Sequence, residues 1–118
     1  MSAQDRDIVT HVSGNAIVIY LIRPSLIFED DISRVSDAFT EAIDASKNPD
    51  VVLEFSAVTQ VASAFIGKLL ILDRHLKETG RRLVLCAMRK EVMGVFKLLN
   101  LHKLFKIVKD EYVALHEE

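Results

Sequence analysis

Residues 51–87 read VVLEFSAVTQVASAFIGKLLILDRHLKETGRRLVLCA, and this stretch decides the fold class. It begins with a short apolar strand at residues 51–55 and ends with another at residues 82–87. Between them, apolar residues spaced three and four positions apart predict a helix from residue 63 to residue 80. A strand, a helix and a second strand in this order predict a right-handed crossover between two parallel strands.

The residues before this unit predict a hairpin and a helix. Residues 8–12 alternate, Ser13-Gly14-Asn15 signals a turn, and residues 16–22 form an apolar run that suits a buried strand. A helix follows, with Asp30 or Asp31 as its expected cap and one apolar stripe as its expected buried face.

The residues after this unit continue the alternation of helices and strands. The pattern predicts a helix at residues 91–99, ended by Asn100, then a strand at residues 104–108 and a terminal helix at residues 112–118. The element order is β-β-α-β-α-β-α-β-α. It predicts an α/β fold with a mixed sheet of about five strands and about four helices.

Length and composition fit one ordinary globular domain. The chain has 118 residues, of which 50% are hydrophobic and 27% are charged. We expect residues 1–118 to form a single domain, with residues 1–6 as a disordered tail. The polar start lacks the apolar core of a signal peptide, and no apolar stretch is long enough to span a membrane. These features predict a cytoplasmic protein without direct membrane insertion.

Charge is distributed unevenly along the chain. Residues 1–59 contain 4 Lys and Arg against 10 Asp and Glu, whereas residues 68–109 contain 11 basic residues against 3 acidic ones. This basic stripe either faces an acidic protein or a phosphate-rich ligand, or consists of solvated side chains on helices. The stripe lacks interleaved aromatic residues and any nucleic-acid-reading motif, so we expect no nucleic-acid partner.

The residue types that carry chemistry are dispersed. Neither GxGxxG nor GxxxxGK occurs, and Ser63 is not in a GxSxG motif. Cys86, the only cysteine, lies in an apolar run and is interpreted as a small buried hydrophobic residue. Four histidines lack the spacing of metal ligands: His11, His75, His102 and His116. The sequence therefore predicts a protein with no cofactor, no metal and no enzymatic activity.

Three segments in register carry a resemblance to a known family. They are VTQVASAFIGKLL at residues 58–70, TGRRLVL at residues 79–85 and VFKLLNLHKLF at residues 95–105. Together they resemble the STAS domain family, which includes the bacterial anti-sigma factor antagonists. The resemblance runs without gaps from about residue 51 to residue 107, and the element order agrees with it.

This resemblance implies a regulatory module of transcription and signal transduction that binds protein. In such antagonists, a loop ending in Asp-Ser-Ser/Thr-Gly leads into the second long helix, and a kinase-fold anti-sigma factor phosphorylates the second hydroxyl residue. Carried over position by position, the motif becomes Ala62, Ser63, Ala64 and Phe65. Alanine cannot be phosphorylated, so the resemblance implies a constitutive or atypically switched binder.

Two residues at this position have alternative interpretations. Ser63 is a structural helix cap, a displaced phosphoacceptor or a neutral contact residue. Phe65 either joins the core row with Leu69, or forms an exposed anchor beside Val61 and Met93.

We therefore predict a partner-binding surface around the start of the second long helix. Its predicted residues are Val61, Ala62, Ser63, Ala64, Phe65, Lys68 and Met93. The resemblance implies an anti-sigma factor or a related kinase-fold regulator as the partner, and a homodimer is left open. The alternative is a STAS accessory subunit of a transport complex or of a stress-signalling assembly.

Overall fold

A β-hairpin opens the fold in the computed structural model, which describes residues 6–116. Strands β1 (Ile8–Ser13) and β2 (Ala16–Leu21) pair antiparallel, as predicted. The turn between them contains Gly14 at φ +57°, a backbone conformation that costs glycine little. Of the predicted tail at residues 1–6, all but Arg6 lies outside the described residues.

Three further strands complete the predicted mixed sheet of five. They are β4 (Asp50–Glu54), β6 (Arg82–Cys86) and β7 (Lys106–Val108), and they run parallel to β2. The strand order β1-β2-β4-β6-β7 is that of a sheet built by successive crossovers, and the predicted α/β class is confirmed. β7 begins two residues later than predicted, because residues 102–104 form a turn.

The four predicted helices cover the sheet unequally. Helices α1 (Glu29–Ser46), α2 (Ser63–Glu78) and α3 (Lys90–Leu98) pack on one face and build the main core. The shorter α4 (Glu111–His116) packs on the other face, over a smaller apolar cluster. Within residues 6–116, none of the helices is both long and apolar enough to cross a bilayer.

The start of α1 differs from the prediction. The cap position is Phe28, and among the described residues no side chain caps this helix, so Asp30 and Asp31 are not its caps. They lie with Glu29 in the first turn, where negative charge stabilises the positive end of the helix dipole. Asp31 also pairs with Arg34 at 2.6 Å.

The ends of α2 and α3 agree with the prediction. Gly80 (φ +75°) and Asn100 (φ +56°) take the left-handed conformation just after each helix. In α2, the Arg81 N–H reaches back to the Leu76 carbonyl at 2.8 Å, a bond that defines the Schellman helix end.

A second, two-stranded sheet was not predicted. Strands β3 (Ser25–Leu26) and β5 (Gln60–Val61) pair parallel, with Leu26 opposite Val61. Strands of two residues are too short to show an alternating pattern, so the sequence offers no periodicity for them. This small sheet joins the segment before α1 to the segment before α2.

Candidate functional site

The linker between β4 and α2 is tied down before it reaches the helix. The Thr59 N–H donates to the Pro24 carbonyl at 2.7 Å, and the Ala62 N–H donates to the Leu26 carbonyl at 2.9 Å. Near the start of the linker, Phe55 is fully buried. These contacts fix the point at which α2 begins.

The first turn of α2 presents free backbone donors. Ala62 occupies the cap position with an extended backbone, and its carbonyl accepts the N–H of Phe65 at 3.0 Å and of Ile66 at 3.4 Å. The N–H groups of Ser63 and Ala64 precede these donors and therefore have no intrahelical acceptor. Both residues are exposed.

The interpretation of Ser63 as the helix cap is wrong. The helix already includes Ser63, and within residues 6–116 no side chain caps the start of α2. The cap position belongs to alanine, which has no hydroxyl to offer, and Ser63 is an exposed residue of the first turn. The displaced phosphoacceptor and the contact residue both remain as interpretations.

Phe65 is a core residue and not an exposed anchor. Its side chain is fully buried, and its ring meets Phe39 and Phe55 edge to face, with centroids 6.3 and 6.5 Å apart. The row of buried residues continues along the same face of α2 with Ile66 and Leu69. The prediction that Phe65 joins this row is confirmed, and the exposed-anchor prediction is wrong.

The other predicted residues line different depressions of the surface. Val61 is almost buried and lines a groove of about 350 Å³ between β5 and α3, which we call the β5 groove. Its lining residues are Ile27, Thr59, Gln60, Val61, Glu91 and Val95. Met93 lines a separate depression with Met88 and Lys97, and Lys68 lines a groove between α1 and α2. The structure therefore does not bring Phe65, Val61 and Met93 together at the surface.

Two apolar residues next to the site were missed by the sequence analysis. Ile27 and Phe28 follow β3, and the pairing of Leu26 with Val61 places them beside the start of α2. Phe28 is 65% exposed, which is unusual for a large aromatic side chain. The sequence signal for these residues was the apolar run Leu26-Ile27-Phe28 just before an acidic helix start. Of the three, only Leu26 belongs to the core.

Two side chains with clearly raised pKa values, Cys86 and Tyr20, lie away from the site at the start of α2. Cys86 lies outside it in the apolar cluster beneath α4, and burial raises the pKa of its thiol to about 12, so the thiol stays protonated. Tyr20 packs against that cluster, and its hydroxyl donates to Glu111, which raises the tyrosine pKa to about 12. Among residues 6–116, no three His, Cys, Asp or Glu side chains are grouped so as to hold a metal ion.

Comparisons with known proteins agree with this architecture. A family model described as "Mlab, STAS domain" matches residues 28–109. A candidate anti-sigma factor antagonist from Thermotoga maritima is similar at 16% identity and a TM-score of 0.79, covering 93% of this chain and 92% of its own. An anti-sigma-factor antagonist (STAS) domain protein from Planctomyces limnophilus is similar at 18% identity and a TM-score of 0.80, covering 92% and 94%. The anti-sigma factor antagonist SpoIIAA in its unphosphorylated form is similar at 18% identity and a TM-score of 0.71, covering 90% of this chain and 91% of its own.

Proposed function

Because the chain belongs to the STAS domain family, we propose that it is a cytoplasmic regulatory module that binds another protein through the surface at the start of α2. The proposed partner is an anti-sigma factor or a related kinase-fold regulator, by analogy with the antagonists that share the fold. The observation that carries the proposal is the exposed Ser63–Ala64 corner beside the β5 groove, which Ile27, Val61 and Val95 line together with polar residues. This corner lies where the phosphorylated motif of the resembling antagonists falls.

The composition of this surface supports binding to a protein. Ile27 and Phe28 supply exposed apolar area, and aromatic residues are common anchors at protein interfaces. The free N–H groups of Ser63 and Ala64 supply donors at the rim, and Glu91 adds an acceptor. A partner with an apolar anchor and a hydrogen-bonding edge would match this arrangement.

We propose a constitutive or atypically switched binder because of Ala64. The usual phosphoacceptor position carries a methyl group, which cannot be phosphorylated. Ser63 keeps an exposed hydroxyl, so a displaced modification there is chemically open. A phosphate at Ser63 would add about −1.5 to −2 charges to this surface and so weaken an interface that forms without it.

We also propose that the protein acts without catalysis of its own. The one thiol is buried and protonated, and the exposed serine lies at a helix start without a paired base among the hydrogen bonds of the described residues. In this proposal its effect on transcription comes from occupying a partner.

A capture experiment tests the proposal. The immobilised chain is exposed to its native cytosol, and bound proteins are identified by mass spectrometry, with Ala64→Glu and Phe28→Asp as the site variants. Tyr112→Asp is the matched control, because Tyr112 is 70% exposed on α4 at the other face of the sheet. We expect a kinase-fold regulator to bind the wild type and the control and to be lost from both site variants. Capture of no regulator, or capture that neither site variant reduces, would refute the proposal.

The alternative is an accessory subunit of a transport complex or of a stress-signalling assembly. Ala64 favours it, since a structural subunit has no need of a phosphoacceptor. The same capture experiment distinguishes the two, because transporter subunits in place of a kinase-fold protein would support the alternative. Analytical ultracentrifugation of the purified chain decides whether a homodimer forms.

A further inference from the structure

A depression along α3 combines methionine side chains with lysines. Its volume is about 400 Å³, and its lining residues are Met88, Lys90, Met93, Gly94 and Lys97. We call it the methionine depression. The four lining residues that belong to α3 recur at spacings of three and four positions, so they share one face of the helix.

The charge that lines the methionine depression has one sign. Lys90 and Lys97 are exposed, and within residues 6–116 neither of them forms an ion pair. Glu91, the single acidic residue of α3, lines the β5 groove instead. Seven residues of helix rise about 10.5 Å, so the two lysines are separated by about this distance along the helix axis. An occupant of the depression therefore needs negative charge at two points that far apart.

The floor of the methionine depression is held in place by the fold. Met88 packs against the main core, and the opposite side of α3 is anchored there by the fully buried Phe96. At the start of the helix, Arg89 Nε donates to the Ser56 carbonyl at 2.8 Å, and the Met93 N–H donates to the Arg89 carbonyl at 2.9 Å. The depression therefore exists before any partner binds.

Gly94 is not explained by the packing of the domain itself. It lies inside α3 and does not take the left-handed conformation that favours glycine, and a Cβ atom added to it would meet nothing within 4 Å. A glycine inside a helix costs about 1 kcal/mol relative to alanine. Glycine also permits another molecule to approach a backbone closely. The stability cost is explained if an occupant needs the space above Gly94.

The shape of this surface restricts the kind of anionic occupant. A recessed apolar floor accepts a projecting apolar side chain, which neither nucleic acid nor a lipid surface provides. Nucleic acid would also use aromatic stacking, yet the aromatic residue of α3, Phe96, is buried. In a two-fold contact with a second copy, Lys90 and Lys97 would face the same lysines of the other chain, which is unfavourable. An acidic segment of a different protein meets all these conditions.

We propose that the methionine depression docks an acidic amphipathic helix of another protein. An apolar side chain of that helix enters between Met88 and Met93 above Gly94, where the flexible thioethers adapt to its shape. Carboxylates at positions i and i+7 of the docked helix lie about 10.5 Å apart and face Lys90 and Lys97. The basic stripe thereby contacts an acidic protein at this face. The inference does not depend on the function proposed for the start of α2.

An NMR titration of the full chain, with carbon-13 in its methionine methyl groups, tests this proposal. The probe is a synthetic helical peptide with Glu at positions i and i+7 and Leu at positions i+3 and i+4. We expect saturable shifts of the Met88 and Met93 methyl signals, with weaker binding as salt is added. The double substitution Lys90→Gln with Lys97→Gln should weaken binding about threefold to tenfold. Gly94→Leu should weaken it about tenfold or more, because the new side chain fills the depression, and should not lower the melting temperature, because leucine favours a helix over glycine.

The control is Lys68→Gln with Lys103→Gln, which removes the same charge from two exposed lysines outside the depression. This variant should bind the peptide as the wild type does. The proposal is overturned by absence of methyl shifts at about 1 mM peptide, by unchanged binding of either site variant, or by equal loss in the control. Equal binding of a peptide with Gln in place of Glu would also overturn it, as would larger shifts with phosphatidylglycerol vesicles or a DNA duplex. Partner capture through Phe28 and Ala64 is unaffected by any of these results.

Discussion

Replacing Phe65 by alanine distinguishes a core residue from a docking residue more sharply than any other single change. The Phe65 ring is fully buried and meets two further rings, those of Phe39 and Phe55. Truncating a buried phenylalanine to alanine costs about 3–5 kcal/mol, because apolar area is lost and a cavity remains. Small domains have a free energy of unfolding of about 5–15 kcal/mol, so the loss should be large and readily measured.

The milder substitution Phe65→Leu keeps most of the volume and removes the two ring contacts. Each edge-to-face pair contributes roughly 0.5–1.5 kcal/mol, so we expect a loss of about 1–3 kcal/mol. Urea unfolding followed by circular dichroism measures both variants, with the exposed Ile71→Ala as the control, for which a change within about 0.5 kcal/mol is expected. The reasoning would be refuted if Phe65→Ala unfolded at the same urea concentration as the wild type but no longer captured the partner, because a surface anchor behaves in that way.

Three further predictions concern stability and reactivity. Gly80→Ala should destabilise the domain by about 1 kcal/mol because Gly80 has a left-handed backbone, whereas Gly94→Ala should stabilise it by about 0.5–1 kcal/mol because Gly94 lies in α3 with open space around it. Thermal unfolding measures both variants, and equal shifts would contradict the different backbone conformations of the two glycines. Ser63→Ala should leave the free energy of unfolding within about 0.5 kcal/mol of the wild type, in contrast to the roughly 1 kcal/mol that a capping serine contributes, and urea titration decides between them. Burial raises the pKa of Cys86 to about 12, so the folded protein favours the neutral thiol, and its stability should fall as the pH rises from about 9 towards 12, less so in Cys86→Ala. A thiol reagent at neutral pH should label Cys86 only after denaturant is added, and rapid labelling of the native protein would count against its burial.

The parts of the fold that sequence could predict are those with a repeating pattern or a distinctive backbone residue. The alternation in β1, the turn at Gly14 and the glycine after α2 each leave a local signature, and each is found in the predicted place. β3 and β5 leave none, because strands of two residues have no period. Their pairing depends on a contact between Leu26 and Val61, which are far apart in the chain.

The candidate site was predicted only in part for a related reason. The register of α2 relative to its cap decides which residues of the first turn face the core, and Ala62 in the cap position gives no side-chain signal. With Ser63 as the cap, Phe65 could have faced outward. The exposure of Phe28 was also hidden, because the apolar run at residues 26–28 does not show that only Leu26 joins the core.

The pairing of β3 with β5 has a mechanical consequence. It ties the entry into α1 to the entry into α2, so Phe28 and Ser63 are carried by one pair of hydrogen-bonded segments and cannot shift independently. A molecule that binds only one of these two segments restrains the other as well. Amide hydrogen exchange would reveal this as simultaneous slowing in the opening turns of both long helices, even when the ligand touches a single one.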